Sequence, residues 1–519
     1  VISNKLKKAD ALQTSGKYGS AIKAYKIILK DYPDNFDVLN GLGYALYSLE
    51  YFSEAVIAFR KALKIRSDAH SSRLNLARSL YLLGHVREAS TEYEYLISFG
   101  DEDNKLKALN NLAVIAPGNI GYDNGRVLEI RRRWAESQAP HIIPRRVFNN
   151  SNERLRLAYY GSYFSNKNWM KMYMGVINAH NRSRFDVNII TDGPPPDLQN
   201  GYVDHENDRI WGVESLSNAE LSNLIFEEKI DILVDLNGYS HQRRLPLLNY
   251  RSAPVQLVWN GMYATTGFPN VDGIIGDNQT IRSNEQEFYT EKFIRLDGTY
   301  LPFDFFYDTT PVTNSPCLDN GYITFGSLNS SYKITEETIK FWASIMMSVT
   351  GSRMVVRTKT LDKECNRKEI IHRFAKHGID QNRISLFGSG SHESYLKTYE
   401  QIDIALDTLP YSGGTTTVEA LWQGVPVLTV PGDRWASRTS ASILNAAGFV
   451  DFITLNQEDA ILRVRSAVSD YTELNNARIN RRIELKNSNA CATQKICNEL
   501  EHIYADKFAA LRPDSELIL

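Results

Sequence analysis

Alanines 21, 55 and 89 stand 34 residues apart, and an aromatic side chain keeps the same interval at Tyr25, Phe59 and Tyr93. Tyr18, Phe52 and Val86 hold a third position in the same register. A period of this length, with small and large residues at fixed offsets, marks paired antiparallel helices that stack one pair on the next. The alanines let the helices approach closely, and the aromatics fill the groove between neighbouring pairs. Gly16 and Gly84 close the first helices of their repeats, whereas Glu50 takes the equivalent place in the middle one. Pro33 ends the first unit. Each aromatic by itself is core; a functional expectation attaches to the whole array, whose concave face would hold a protein or peptide.

This is the tetratricopeptide pattern, which predicts an α superhelix at the start of the chain. A helical stretch over 105–115 starts a fourth, truncated repeat, which Pro117-Gly118-Asn119 breaks, and helical character returns over 126–138. Residues 139–152, with Pro140, Pro144 and four consecutive Asn or Ser residues, read as a linker. From Leu155 the texture becomes α/β. Apolar strands are predicted at 155–160, 185–191, 230–236, 255–259 and 273–276, then, beyond a proline-containing stretch at 297–320, at 322–326, 353–357, 384–387, 402–406 and 425–430. That makes two doubly wound domains. The loops after Leu236 and after Trp259, the second containing Gly261, fall at strand C-termini, where open parallel sheets bind ligands.

The densest chemistry follows the apolar run 402–409. Gly413, Gly414, Thr415, Thr416 and Thr417 lead into a helical segment carrying Glu419. Glycines let the backbone approach a ligand, a helix start offers N–H groups and a positive dipole end to an anion, and the threonines add hydroxyl donors. A second strand-to-loop turn, Pro431-Gly432-Asp433-Arg434, follows at once. One such loop could be only a tight turn with a cap. Two together, with Glu419 one turn into the helix to bond a ribose hydroxyl, predict nucleotide binding.

Composition excludes little. The 519 residues have a formal net charge of −2, which implies neither a nucleic-acid surface nor a polybasic membrane patch. Cys317, Cys365, Cys491 and Cys497 are too sparse for a disulfide framework and form no CxxC pair, so a reducing, cytoplasmic setting is expected. No apolar run reaches the length of a membrane span. The chain opens on Val1 rather than methionine, which leaves room for upstream sequence.

The residues then resemble a known family. The strings at 236–239 (LNGY), 253–261 (APVQLVWNG), 266–267 (TG), 329–334 (NSSYKI), 402–408 (IDIALDT), 413–426 (GGTTTVEALWQGVP) and 431–438 (PGDRWASR) are similar, in order, to the tetratricopeptide-repeat protein O-GlcNAc transferase family, including its bacterial members and the SPINDLY-like plant O-fucosyltransferase branch. The resemblance implies two Rossmann-like domains of GT-B type behind the repeats. It would divide the chain into repeats (1–115), a helical linker (116–152), an N-terminal acceptor-side domain (153–310), a C-terminal nucleotide-sugar-binding domain (321–485) and a C-terminal helix (486–519). Lys333 would meet the diphosphate, where a cation stabilises a leaving nucleotide as its charge grows. Asn329 and Ser330 would make polar contacts to the donor, Thr415 and Thr416 would bind phosphate with Gly413, Gly414, Thr417 and Gly261 completing the donor contacts, Glu419 would hold the ribose, and Tyr395 would stack on the base. The implied reaction is an inverting transfer, needing neither metal nor resident cofactor, from a nucleotide-sugar (by default UDP-GlcNAc) to a serine or threonine hydroxyl of a polypeptide chosen by the repeats.

Two departures bear on this expectation. Family members carry a histidine in the loop after the first strand, whereas residues 162–169 here contain none. Lys167 stands in that place and would serve as base only if burial or neighbouring cations depressed its pKa. Position 414 is glycine where animal members have histidine, while the O-fucosyl branch and many bacterial members do not. A GDP-fucose or other donor used on a bacterial surface or flagellar protein is therefore the sister expectation, and a peptide-binding scaffold without catalysis is the alternative of another class.

Overall fold

A computed structural model of the protein describes residues 2–140, 148 and 153–510. Most of the expected linker lies outside the described residues. The chain divides into two compact units: Val1–Gly121, Asn314–Tyr411 and Asn456–Asn475 form the first, and Tyr122–Thr313, Ser412–Leu455 and Asn476–Leu519 the second.

The first unit opens with seven helices: α1 Ile2–Thr14, α2 Tyr18–Asp31, α3 Phe36–Ser48, α4 Phe52–Ile65, α5 His70–Leu82, α6 Val86–Phe99 and α7 Glu102–Ile115. Each packs on its neighbour in sequence. Ala21, Ala55 and Ala89 are fully buried, with Tyr25, Phe59 and Tyr93 beside them in the core. Gly16 and Gly84 turn the chain through left-handed backbone at φ 73° and 85°, and Glu50 adopts φ 65° at the equivalent corner. The packing of the repeat thus imposes one corner geometry even where the residue has a Cβ. Asn35 and Asp101 cap α3 and α7 through their side chains.

In the second unit, seven parallel strands run β1 Leu155–Gly161, β2 Phe185–Thr191, β3 Arg209–Gly212, β4 Ile232–Asp235, β5 Val255–Val258, β6 Gly273–Asp277 and β7 Lys292–Leu296, in the spatial order β3-β2-β1-β4-β5-β6-β7. β3 and β7 were not among the expected strands. Both lie at sheet edges, and their charged residues hide the apolar pattern. Helix α8, Asn124–Ser137, also belongs to this unit. Its buried Arg131 donates to the carbonyls of Met262 and Thr265 and lies 3.8 Å from the centre of the Tyr239 ring. This helix, expected as part of a linker, braces the loops after β4 and β5.

The first unit also contains parallel strands β8 Thr324–Ser327, β9 Arg353–Arg357, β10 Ile384–Phe387 and β11 Ile404–Leu406, ordered β10-β9-β8-β11. β12, Val427–Leu428, belongs to the second unit. Fold and sequence expectation agree: tetratricopeptide helices precede two parallel α/β sheets of GT-B type. Within the first unit the helices are tied directly to the turn after β8. Arg373 donates to the carbonyls of Leu83 (3.0 Å) and Ile334 (2.8 Å), and Tyr81 stacks on Tyr332 at 5.1 Å.

Candidate active site

In the first unit, β8 delivers its chain into Asn329 and Ser330 and then a tight turn, Ser331–Lys333. The Asn329 amide donates to Ser327 Oγ at 3.1 Å. Lys333 holds its ammonium 4.1 Å from the centre of the Tyr411 ring. Burial pushes this ammonium down to about 8, against the attraction of Asp407. It therefore stays mostly cationic at neutral pH yet lies near its titration point. Tyr395, from the helix His392–Thr398, carries the Arg357 guanidinium 4.3 Å from its ring centre, so one face of the proposed stacking platform is already covered.

In the second unit, the helix Thr415–Trp422 begins after Gly414 with no side chain capping it. Thr415 and Thr416 are partly exposed at this start. Thr417 points inward instead: it is buried, with its hydroxyl 2.8 Å from Ser440 Oγ. Ser412 and Gly413 are laced to the following loop, because Ser412 donates to the Ala436 carbonyl from both its backbone nitrogen (2.8 Å) and its hydroxyl (3.0 Å), and Ser440 Oγ donates to the Gly413 carbonyl at 3.1 Å. Arg438, on that second loop, is buried and reaches both oxygens of Glu285 at 2.8 Å. A Cβ at 414 would come no closer than 3.5 Å to a neighbour, so the glycine there answers no packing demand.

Glu419 is buried, and its carboxylate accepts from Lys171 Nζ at 2.5 Å. Lys171 is itself wholly buried beside Phe305 and Tyr307; burial pushes its ammonium down, and Glu419 opposes that shift. The carboxylate expected to hold a ribose is therefore first of all half of an ion pair. Lys167 lies exposed, with its ammonium 4.7 Å from the centre of the Tyr307 ring, and the burial that a lysine base needs is not found there.

Gly261, after β5, has φ 71°, and a Cβ on it would meet the Asn237 carbonyl oxygen at 2.2 Å. Its carbonyl accepts from Tyr239 N at 3.0 Å, locking the loops after β4 and β5 together. Asn237 Oδ1 accepts from Ser162 N at 2.8 Å, bringing in the loop after β1. Asp235 closes β4 with a buried carboxyl that accepts from the N–H groups of Gly238 (2.8 Å) and Asn237 (3.2 Å); burial nevertheless pushes it up to about 7. Sequence reasoning missed Lys171 and Asp235. Only Asp235 left a signal, an acidic residue ending the apolar run Ile232–Asp235. Among the described residues, His180, Cys497 and Glu501 form the one group spaced to hold a metal ion, but they lie buried and bonded to one another or to Tyr159.

Residues 135–310 and 309–500 match the model of glycosyl transferase family 41. The chain belongs to that family. Residues 6–71 match a tetratricopeptide repeat model. The chain is 32% identical over 296 residues to the SPINDLY protein of Solanum lycopersicum, named as a UDP-N-acetylglucosamine:peptide N-acetylglucosaminyltransferase, covering 57% of this chain and 32% of that protein. It is 24% identical over 305 residues to the SEC protein of Arabidopsis thaliana, over 57% of this chain and 31% of SEC. The chain thus spans about a third of the length of the curated relatives it matches. Among solved structures, a point mutant of the Thermobaculum terrenum O-GlcNAc transferase superposes with a TM-score of 0.81 at 28% identity, covering 98% of this chain and 97% of that one. Among the described residues no helix is long and apolar enough to cross a membrane.

Proposed function

We propose that this glycosyl transferase family 41 chain is a protein O-glycosyltransferase that moves a sugar, GlcNAc from UDP-GlcNAc by default, onto serine or threonine hydroxyls of a polypeptide recruited by its repeats. The observation that carries this reading is the near full-length likeness to an O-GlcNAc transferase over both chains. The start of the helix Thr415–Trp422, where no side chain supplies the cap and Thr415 is partly exposed, suits the phosphates of the donor. Lys333 supplies a fixed cation for the departing nucleoside diphosphate, in place of a metal, and inversion at the anomeric carbon follows from a single displacement by the acceptor oxygen. A GDP-linked donor such as GDP-fucose is the second reading, favoured by the absence of histidine from residues 162–169 and by glycine at 414.

A thermal-shift panel of UDP, GDP and CMP with their sugar conjugates tests this, since a ligand that binds only the folded chain raises the melting temperature. Stabilisation by UDP and UDP-GlcNAc in the presence of EDTA is expected. A response to GDP alone moves the assignment to the second donor, and no response to any nucleotide overturns the reading.

A further inference from the structure

Buried polar side chains in folded proteins nearly always find a hydrogen-bond partner. At the C-terminal ends of β1, β2 and β4, five such atoms find none: Tyr160 Oη, Ser162 Oγ, Asp192 Oδ2, Asn237 Nδ2 and His241 Nδ1. They come from the last residues of β1 and from the loops after β1, β2 and β4 of the second unit, at one sheet edge, where parallel sheets take ligands. Two of them face each other. His241 Nδ1 stands 3.8 Å from Asp192 Oδ2, while the other oxygen of Asp192 is fixed by Arg244 Nη2 at 2.6 Å. Arg244 is anchored in turn on the carbonyls of Val213 and Leu216. The carboxylate is thus held on one side and turned toward the imidazole on the other.

His241 also sits against the loop that lacks a histidine. Its ring meets Tyr163 edge-on at 6.2 Å, and the Tyr163 hydroxyl donates to the Ser240 carbonyl at 3.1 Å. The chain running on from Tyr163 reaches Lys171, the buried partner of Glu419. The His241 side chain is 28% exposed, so a substrate can reach it; His180, by contrast, is fully buried and bonded on both nitrogens.

We propose that His241, oriented by Asp192, takes the proton from the acceptor hydroxyl. The assignment rests on the transfer reaction proposed above. In that step the hydroxyl oxygen bonds to the anomeric carbon of the sugar, and its O–H bond breaks with the proton passing to Nε2 of the imidazole. The bond from the anomeric carbon to the diphosphate oxygen breaks with its electron pair leaving on the nucleoside diphosphate. Closing of the gap between Nδ1 and Asp192 lets Nδ1–H donate to the carboxylate, which fixes the tautomer and supports the imidazolium. The charged and titratable groups facing the ring are Asp192 from the loop after β2, Arg243 and Arg244 from its own turn, and Tyr163 from the loop after β1. Burial holds the imidazole below its ordinary value, with Asp192 opposing, so it is neutral and basic at pH 7.

The test measures acceptor-dependent transfer by the full chain and by His241→Ala, His241→Gln and Asp192→Asn, each as a function of pH, with nucleotide binding followed by calorimetry. The wild type is expected to show a low-pH limb in kcat with its midpoint under about 6.5. His241→Ala and His241→Gln should lose about 10²–10⁴ in kcat and lose that limb, with nucleotide affinity unchanged. Asp192→Asn should move the limb to lower pH, and added imidazole should partly restore His241→Ala. A purely structural histidine predicts neither effect. Transfer by both His241 variants within about threefold of wild type, with the limb intact, overturns the assignment and leaves the transfer reaction standing. A wild-type chain that binds nucleotide and transfers no sugar overturns both.

Discussion

Replacing Lys171 by methionine is expected to destabilise the second unit by ~3–5 kcal/mol. The two partners are withdrawn from water, with side-chain exposures of 0% for Lys171 and 7% for Glu419, and they meet at 2.5 Å. Methionine keeps an apolar stem against Phe305, so little packing is lost, and the cost is that of a carboxylate left buried without its cation. The pair Lys171→Met with Glu419→Leu removes both charges and should recover most of the loss. Urea unfolding of the wild type and the single and double variants measures both the loss and its recovery. A loss below about 1 kcal/mol is the behaviour of a surface pair and would refute this account of Glu419.

Lys333→Ala should lower kcat by about 10²–10³ while the melting temperature holds, and wild-type transfer should decline as pH rises through about 8, where the ammonium is lost. Lys333→Arg, charged at every working pH, should lack that alkaline decline in whatever activity it retains. Gly261→Ala places a Cβ on the Asn237 carbonyl at positive φ and should cost ~1–3 kcal/mol in a thermal or urea melt, whereas Gly212→Ala, with nothing within 4 Å, should cost much less. Thr415→Val should weaken nucleotide binding about tenfold in calorimetry without lowering the melting temperature, and Thr417→Val should do the reverse, because its hydroxyl serves Ser440.

The repeat was legible because close packing demands the same residue types at the same offsets: Ala21, Ala55 and Ala89 had to be small, and each is fully buried. Strand positions were legible for central strands such as Val255–Val258, buried throughout, and obscure for Arg209–Gly212, whose residues are mostly exposed. Site chemistry divided on the same physical line. Gly413 to Thr416 lie together in sequence, so a local loop announces them. Lys171 and Glu419 are 248 positions apart, and nothing near Lys171 in the sequence tells that Phe305, Tyr307 and Glu419 will enclose it. Burial alone separates it from exposed Lys167 on the preceding turn. His241 was hidden for the same reason, since Asp192 and Tyr163 reach it from the ends of other strands.

The most direct test of the central claim is the mass of a polypeptide acceptor after incubation with the full chain and UDP-GlcNAc in EDTA, with Lys333→Ala alongside. The account predicts an added N-acetylhexosamine on serine or threonine in the wild-type reaction, UDP released in equal amount, and neither in the variant. Unmodified acceptor with every nucleotide-sugar offered, from a chain shown to bind the nucleotide, would contradict it.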